Sequence, residues 1–399
     1  MSAVQPIRKT LAPRLGRSDR SAIGRWFWEI DKVLLVLVAV LIVIGLIAVA
    51  AASPAASQRY SGGGISVPPL HYFYRQLMWI ALAVPVMIAV SMMPKSTARR
   101  LSILGAAFFI LCLFLVPIIG VEVNGARRWI GAGFAQFQPS EFLKPLFIVT
   151  IAWLLSFKEK DRALPVVPLT AVLTGVVALL LMRQPNLGET VIFVTAWVVL
   201  VMLSGAPMRM LYMLGAAGVA LLVLAYLFYP VATQRIDGFL FEQGDQYQVE
   251  SALRTLTAGG LFGAGPGAGI RKFSLPEPHT DYIFSVIGEE FGIIACVAIA
   301  ILYMTIVVRV LVRLLNEEDK FLVLATAGLV TQFGLQALIN MAVNVHIAPS
   351  KGMTLPFISY GGSSMIALAI GMGLLLAFTR RNPHLQNSNY VVKWRGLSG

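Results

Sequence analysis

Long apolar runs, separated by short polar connections, dominate the chain. Ten runs are long enough, at about 20 residues each, to cross a bilayer as helices. No pattern of strands that could face lipid accompanies them, and helices satisfy the backbone hydrogen bonds in lipid. The sequence therefore predicts an all-α, polytopic integral membrane protein with ten transmembrane helices. The predicted spans are residues 33–53, 74–93, 101–119, 140–157, 163–182, 189–204, 210–230, 283–309, 321–343 and 363–379.

The charged residues between these spans predict the orientation of the protein. If the N-terminus is cytoplasmic, most Lys and Arg residues fall on the cytoplasmic side. This positive-inside bias predicts that both termini are cytoplasmic. It divides the chain into a basic cytoplasmic tail (1–32), a single membrane domain (33–379) and a C-terminal tail (380–399). One long extracytoplasmic loop, 231–282, joins the seventh and eighth spans.

Composition narrows the class of protein. The 399 residues are 57% hydrophobic and 13% charged, with a mean hydropathy of +0.77. These values exclude a soluble enzyme, a disordered chain and a disulfide scaffold. The net charge of +13 could indicate nucleic acid or a membrane surface. Because the positive-inside bias accounts for most of it, membrane lipids are predicted partners and nucleic acid is not.

The long loop combines an amphipathic pattern with a glycine-rich run. Apolar residues from Val249 to Leu261 recur at helical spacing, which predicts a helix lying on the outer membrane surface. Residues 259–269 contain six glycines and favour a tightly turned or flexible loop. A phosphate cradle is the alternative, although no βαβ unit surrounds this run.

Acidic residues gather where the loop enters the eighth span. Asp281 is a candidate general base at the outer membrane face, with helix capping as the alternative role. Ser285 follows one turn later, and Glu289 lies inside the span, where a carboxylate is costly and indicates a function or a partner. His279 is a second candidate proton acceptor, although a solvated loop histidine is the simpler interpretation.

Basic residues form a counterpart on the same predicted side. Lys144 lies about one turn into a span, which indicates an anionic ligand; a pair with Glu141 at i, i+3 is the simpler explanation. Trp129 could pack on a sugar or belong to the aromatic belt. The positive-inside rule disfavours basic residues here, so we predict that they bind a pyrophosphate group. These residues are Arg127, Arg128, Arg183, Arg271, Lys272 and Lys351.

The last predicted outer segment, 349–364, is too apolar for a solvated loop and too rich in Pro and Gly for a helix. A re-entrant segment lining a cavity fits this composition. Asn340 and Asn344 precede it and could hydrogen-bond to it or to a substrate. Ser363 belongs to a run of small residues that would also let helices approach closely.

Taken together, these motifs resemble the SEDS family, the shape, elongation, division and sporulation proteins. The resemblance covers about residues 30–385, and its form around 351–357 is closer to the division members than to the elongation members. The motifs are Arg127-Arg128-Trp129, Gln138-Pro139-Ser140-Glu141, Gln184-Pro185, His279-Thr280-Asp281, Gly288-Glu289-Glu290 and residues 351–364.

The resemblance implies a peptidoglycan glycosyltransferase that polymerises lipid II for septal wall synthesis. It would form β-1,4 bonds with inversion, and undecaprenyl pyrophosphate would leave. In this family the aspartate matching Asp281 is the one most associated with catalysis. The family often has Asp where this chain has Asn186, which puts a carboxylate role there in doubt; Glu189 could substitute. The predicted substrate-binding residues are Arg127, Arg128, Trp129, Lys144, Glu141, His279, Ser285, Glu289, Lys351 and Ser363.

The implied partners are a class B penicillin-binding protein of the FtsI type and other membrane proteins of the division machinery. The implied location is the division septum of the bacterial inner membrane. No cluster of His, Asp and Glu indicates a metal site, and assistance by a divalent cation (Mg²⁺ or Mn²⁺) stays open. Three alternative functions are a lipid II flippase, an elongation polymerase and a noncatalytic scaffold.

Overall fold

A computed structural model describes residues 22–61, 66–123, 126–133, 136–158, 164–241, 247–349 and 352–381. Most of both predicted cytoplasmic tails lies outside these residues, and so does Lys351, one of the predicted substrate-binding residues. In the described part of the chain the fold is almost entirely helical. The helices are α1 Ala22–Glu29, α2 Lys32–Tyr60, α3 His71–Met92, α4 Lys95–Ile119, α5 Pro139–Leu155, α6 Val166–Arg183, α7 Leu187–Leu203, α8 Met208–Phe228, α9 Pro230–Phe241, α10 Tyr247–Ala258, α11 Ile283–Leu314, α12 Lys320–Asn344 and α13 Ser363–Thr379.

Each of the ten predicted spans falls on one of these helices. Within the described ranges, seven helices are long and apolar enough to cross a membrane. The remaining predicted spans correspond to α5, α7 and α13, which have 17 residues each. The multi-pass helical fold is thus confirmed, while the count of ten spans stays a prediction.

Helix α12 lies inside the bundle and α8 lies at its edge. Two thirds of the apolar stretch of α12 is buried, because α5, α7, α11 and α13 all pack against it. In contrast, α8 buries none of its side chains, although it is strongly apolar. An apolar helix exposed on all sides is stable only in lipid. Because four helices surround α12, the polar residues that it carries into the bundle need partners within the protein.

Asp31 joins the start of α2 to the far end of α11. Its carboxylate accepts hydrogen bonds from the N–H groups of Val33 and Leu34, both at 3.1 Å, which caps α2. The same carboxylate accepts from Arg309 at 2.7 Å and pairs with Arg313 at 3.0 Å. Because Asp31 is buried, these two arginines compensate its charge.

A short hairpin departs from the all-helical prediction. Strands β1 (Val121–Val123) and β2 (Ala126–Trp129) pair antiparallel, with Val121 opposite Trp129. Strands of three and four residues lie outside the predicted spans and carry too little alternating pattern to stand out in the sequence. The hairpin matters because Arg127, Arg128 and Trp129 all lie on β2.

Helix α11 is broken at Gly292, and the glycine-rich run fills the break. Gly292 has φ 82° and ψ 173°, which only glycine adopts readily. Ala264 N–H donates to the carbonyl of Glu289 at 2.8 Å, and Ile293 N–H donates to the carbonyl of Gly260 at 3.0 Å. The run thus satisfies backbone groups that the break leaves free. This interaction with the helix replaces the alternative of a phosphate cradle.

Replacing Gly292 with alanine should destabilise the protein. A Cβ atom there would lie 2.2 Å from the carbonyl oxygen of Leu261, and the positive φ adds strain. We expect Gly292→Ala to lower the free energy of unfolding by more than about 1 kcal/mol, measured by thermal unfolding in detergent. Gly175→Ala in α6 is the control, since no atom lies within 4 Å of its Cβ. Equal unfolding temperatures for the two variants would contradict this role of Gly292.

The predicted amphipathic helix of the long loop is present as α10. Its apolar residues Val249, Ala252 and Leu256 are buried, and α10 packs against α11. The side chain of Leu256 lies against Gly288 of α11. The prediction of a helix lying on the membrane surface is therefore corrected: its apolar face is covered by protein.

Candidate active site

Asp281 lies in the segment between a 3₁₀ turn (Arg271–Ser274) and the start of α11. Asp281 is intermediate between buried and exposed. The N-cap residue of α11 is Tyr282, with no capping hydrogen bond from a side chain, so the capping alternative for Asp281 is not observed. A Cβ atom placed on Gly352 would lie 3.4 Å from Asp281 Oδ2. The carboxylate therefore faces the backbone of the segment that follows α12.

The environment of Asp281 suits a proton acceptor. Burial and the neighbouring carboxylate of Glu277 raise the pKa of Asp281 to about 7, against the opposing effect of Arg128. A base is most effective when its pKa lies near the working pH. Near pH 7 the Asp281 carboxylate is therefore both ionised in a substantial fraction of molecules and basic enough to take a proton.

His279 is buried among aromatic rings and is not a solvated loop residue. Its ring lies 4.1 Å from the ring of Tyr72 and 5.3 Å from that of Tyr360. Burial lowers the pKa of His279 to about 4, so the imidazole is neutral at pH 7. Only 3% of the residue is exposed. These ring contacts hold the chain two residues before Asp281, and a substrate contact by His279 stays a prediction.

The two arginines on β2 have different surroundings. Arg128 is half-buried and donates to the carbonyl oxygens of Gln184 at 2.9 Å and Pro185 at 2.6 Å. Burial lowers the pKa of Arg128, while nearby acidic groups, Asp281 among them, oppose this shift. Arg127 points to the exposed side and pairs with Glu122 at 3.4 Å. Trp129 is half-buried. The hairpin thus brings Arg128 into the electrostatic environment of Asp281.

A second charged group, buried in the bundle, surrounds Lys144. Its Nζ atom lies 2.8 Å from Glu141 Oε2, which confirms the predicted i, i+3 pair. It also lies 3.8 Å from Glu189 Oε1, and Gln138 Nε2 donates to that oxygen at 3.0 Å. We call Glu141, Lys144 and Glu189 the buried charge cluster. Two carboxylates already face the ammonium, and a direct pyrophosphate contact by Lys144 stays a prediction.

Glu189 belongs to this cluster but to none of the sequence motifs. It lies in the first turn of the otherwise apolar α7, and 3% of it is exposed. Its Oε2 atom is buried and has no hydrogen-bond partner among the described residues. Asn186, the point at which the motif departs from the family pattern, is also buried. The carboxylate that reaches Lys144 from this turn is therefore that of Glu189.

Two of the predicted substrate-binding residues have hydrogen-bond partners within the protein. Ser285 is fully buried and donates its hydroxyl to Asn344 Oδ1 at 2.7 Å. Glu289 accepts from the backbone N–H groups of Arg271 at 2.6 Å and Lys272 at 2.9 Å. A carboxylate holding two backbone donors anchors a loop. Ser285 and Glu289 therefore anchor the segment before α11, and a substrate contact by either residue stays a prediction.

Other predicted residues are also accounted for. Lys272, expected to add free positive charge, is buried; it pairs with Glu290 and donates to the carbonyl of Ala51 at 3.0 Å. Ser363 begins α13, and its buried Oγ has no partner within the described ranges. In the part of the chain that the structure describes, no group of three or more His, Cys, Asp or Glu side chains could hold a metal ion. No step below depends on the divalent cation, which stays a prediction.

Comparisons with known proteins decide the family. The family model for FtsW, RodA and SpoVE, described as cell cycle protein, matches residues 31–384. The chain belongs to the FtsW/RodA/SpoVE family. This assignment confirms the SEDS resemblance, because these proteins are its members.

Relatives within the FtsW/RodA/SpoVE family cover nearly the whole chain. A protein of Caulobacter vibrioides named probable peptidoglycan glycosyltransferase FtsW is 38% identical over 92% of this chain and 93% of its own length. Among solved structures, a chain of a peptidoglycan synthase complex described as coordinating polymerization and crosslinking has a TM-score of 0.70 at 28% identity. It covers 88% of this chain and 97% of its own. RodA of Thermus thermophilus, a rod shape determining protein, has a TM-score of 0.65 at 28% identity, over 88% and 96%.

Proposed function

We propose that this protein is a peptidoglycan glycosyltransferase that polymerises lipid II into glycan strands during cell division. The names of its FtsW relatives support the activity and the division role, in preference to the elongation role of RodA. The observation that carries the proposal is the partly exposed Asp281, whose pKa of about 7 suits a base. It lies near the cationic Arg128, at the mouth of a broken helix.

The proposed reaction is a single displacement. Asp281 takes the proton from the acceptor hydroxyl while the oxygen of that hydroxyl attacks the anomeric carbon of the donor sugar. The bond from that carbon to undecaprenyl pyrophosphate breaks, and the β-1,4 bond forms with inversion. The leaving pyrophosphate gains negative charge, which nearby cations stabilise. Arg127 is exposed and available for this task, whereas Arg128 is largely engaged by backbone carbonyls.

The buried charge cluster takes an indirect part in this proposal. Lys144 stays neutralised by Glu141 and Glu189 and keeps the starts of α5 and α7 together. The hairpin and the turn at 184–185 adjoin these helix starts, so the cluster supports the position of Arg128. Trp129, also on β2, is available to pack against a sugar.

The cellular setting follows from the family and the predicted topology. The protein would act as a multi-pass protein of the bacterial inner membrane at the septum, with both termini in the cytoplasm. A basic tail (1–32), one membrane domain (33–379) and a C-terminal tail (380–399) would form the chain. A class B penicillin-binding protein would crosslink the product. One chain of a synthase complex described as coordinating polymerization and crosslinking resembles this chain, which supports such a partner. Other division proteins and membrane lipids complete the proposed partners.

Reconstitution tests the function directly. The full chain would be placed in liposomes with its cognate penicillin-binding protein, and lipid II would be supplied. Glycan polymer, resolved by gel electrophoresis, is the expected product. Transfer of lipid II between leaflets without polymer would instead establish the flippase alternative. If the protein shows neither activity, the scaffold alternative is the one that remains.

The pH dependence of polymerisation should report Asp281. A base must be deprotonated to act, so activity is lost as the pH falls through its pKa. Because burial raises the pKa of Asp281 to about 7, we expect the rate to halve near pH 7 on the acid side. An ordinary aspartate would place this limb near pH 4. Initial rates between pH 5 and 9 check this, and a flat rate down to pH 5 would contradict the assignment.

A further inference from the structure

Helix α12 carries a row of buried amide side chains at four-residue intervals, of which Gln332, 7% exposed, is the first. Gln336, Asn340 and Asn344 follow each other at intervals of four residues, and each is at most 2% exposed. Buried amides in an apolar bundle require hydrogen-bond partners, because an unpaired polar group there is costly. We call these three residues the amide ladder. Its partners show which part of the protein the ladder holds.

Two rungs of the ladder bind the backbone of the candidate base. Asn340 Nδ2 donates to the carbonyl oxygen of Asp281 at 2.9 Å and to that of Met353 at 2.6 Å. Asn344 Nδ2 donates to the same carbonyl of Asp281 at 3.0 Å. Its Oδ1 atom accepts from the N–H and the hydroxyl of Ser285, at 3.1 and 2.7 Å. The Asp281 carbonyl is therefore fixed by two donors. The Asn344 side chain also binds Ser285 and so fixes the first turn of α11.

The third rung connects this region to the buried charge cluster. Gln336 Oε1 accepts from Lys144 Nζ at 3.3 Å, and Gln336 Nε2 donates to the carbonyl of Thr354 at 3.1 Å. Met353 and Thr354 directly follow Gly352, the residue that the Asp281 carboxylate faces. One helix face thus holds both the base and the backbone opposite it.

The carbonyls before Asp281 are bound from a second direction. Ser359 donates its hydroxyl to the carbonyl of Thr280 at 2.7 Å, and Tyr360 N–H donates to the carbonyl of His279 at 2.9 Å. Three consecutive carbonyl oxygens, those of residues 279–281, therefore accept from other parts of the fold. A segment held in this way has its side-chain directions fixed by its backbone.

We infer that Asn340 and Asn344 are positioning residues for the reaction proposed above, acting through the carbonyl of Asp281. Neither amide needs to touch substrate. Their loss leaves a carbonyl unpaired and frees the segment to move relative to Gly352. A displacement of about 1 Å at a reacting group lowers a rate by about 100-fold. The inference rests on the proposed function, since it concerns the rate of that reaction.

The test compares kinetic constants of lipid II polymerisation by the reconstituted complex. Asn340→Ala and Asn344→Ala should lower kcat by about 10- to 100-fold, with KM for lipid II within about twofold of wild type. Asn340→Leu fills a similar volume without a charge and removes the Nδ2 donor, so it should show the same loss if the alanine variant does not accumulate. Gln332→Ala is the matched control: Gln332 is buried one turn before Gln336, and among the described residues the amide bonds to Asp281, Met353 and Thr354 come from the other three residues.

The acid limb of the pH profile separates positioning from mere support of the fold. The charged groups that act on Asp281 are Glu277 on its own segment and Arg128 on β2. The described groups facing it from α12 and from residues 352–353 are neutral amides and backbone. A loosened segment admits water to the carboxylate, so the acid limb should move to lower pH in the Asn340 and Asn344 variants and stay in place in Gln332→Ala.

Two results would overturn the inference: folded Asn340 and Asn344 variants with the kcat and acid limb of wild type, or a raised KM at unchanged kcat. Failure of the proposed function would be seen separately, because the wild-type complex itself would then make no polymer.

Discussion

Asp281→Asn should abolish glycan polymerisation while the protein still folds and joins its penicillin-binding protein. The amide is isosteric with the carboxylate, and the backbone carbonyl that Asn340 and Asn344 hold is unchanged. Only the proton acceptor is lost, and removal of a general base lowers a rate by about 10²- to 10⁴-fold. Polymer formed from lipid II by the purified complex measures the effect.

A matched variant controls for the loss of negative charge from the long loop. Glu250 lies on α10, is exposed and pairs with Arg254 at 2.5 Å. Glu250→Gln should keep the wild-type rate, because an exposed pair of this kind contributes little to stability and this one lies outside the site. A normal polymerisation rate for Asp281→Asn would exclude Asp281 as the base.

Lys144→Met should cause a large loss of stability. The substitution leaves the buried Glu189 and the mostly buried Glu141 without the ammonium that faces both. Removing one partner of a buried ion pair costs about 3–5 kcal/mol, because the remaining charge is uncompensated. Thermal unfolding of the purified protein, followed by circular dichroism, would measure the decrease.

A triple variant separates the charge effect from loss of side-chain packing. Lys144→Met combined with Glu141→Gln and Glu189→Gln removes all three charges at similar volume, so it should regain most of the lost stability. Its polymerisation activity then shows whether the reaction needs the charges themselves. A single Lys144→Met variant that unfolds at the wild-type temperature would contradict the ion-pair geometry.

The positions of the spans could be predicted from the sequence because each depends only on local hydropathy. All ten predicted spans fall on helices, and the amphipathic pattern around Val249 correctly predicted α10. The pair of Glu141 and Lys144 was also predictable, since residues three apart on a helix are neighbours. Asp281 stood out because it precedes an apolar span. Each of these inferences uses neighbours in the sequence.

Contacts between distant segments show partners for several side chains that the sequence did not reveal. Glu289 resembled a candidate ligand because a carboxylate in a span is costly, yet its partners are N–H groups 17 and 18 residues earlier. His279 resembled a solvated loop residue, but Tyr72 and Tyr360 approach it from two other parts of the chain. The spacing of Gln336, Asn340 and Asn344 was visible in the sequence, although nothing local showed that it faces Asp281.

The sequence by itself therefore determined the class of protein, the approximate spans, the family and the candidate base. Hydropathy and short motifs are local properties, and they are readable without a fold. Only the tertiary structure decided which basic side chains stay exposed to solvent and which are paired with buried carboxylates. Lys272 and Lys144 are both neutralised by buried carboxylates, whereas Arg127 keeps an exposed side chain. A buried charge requires a partner, and the identity of that partner depends on how the helices pack.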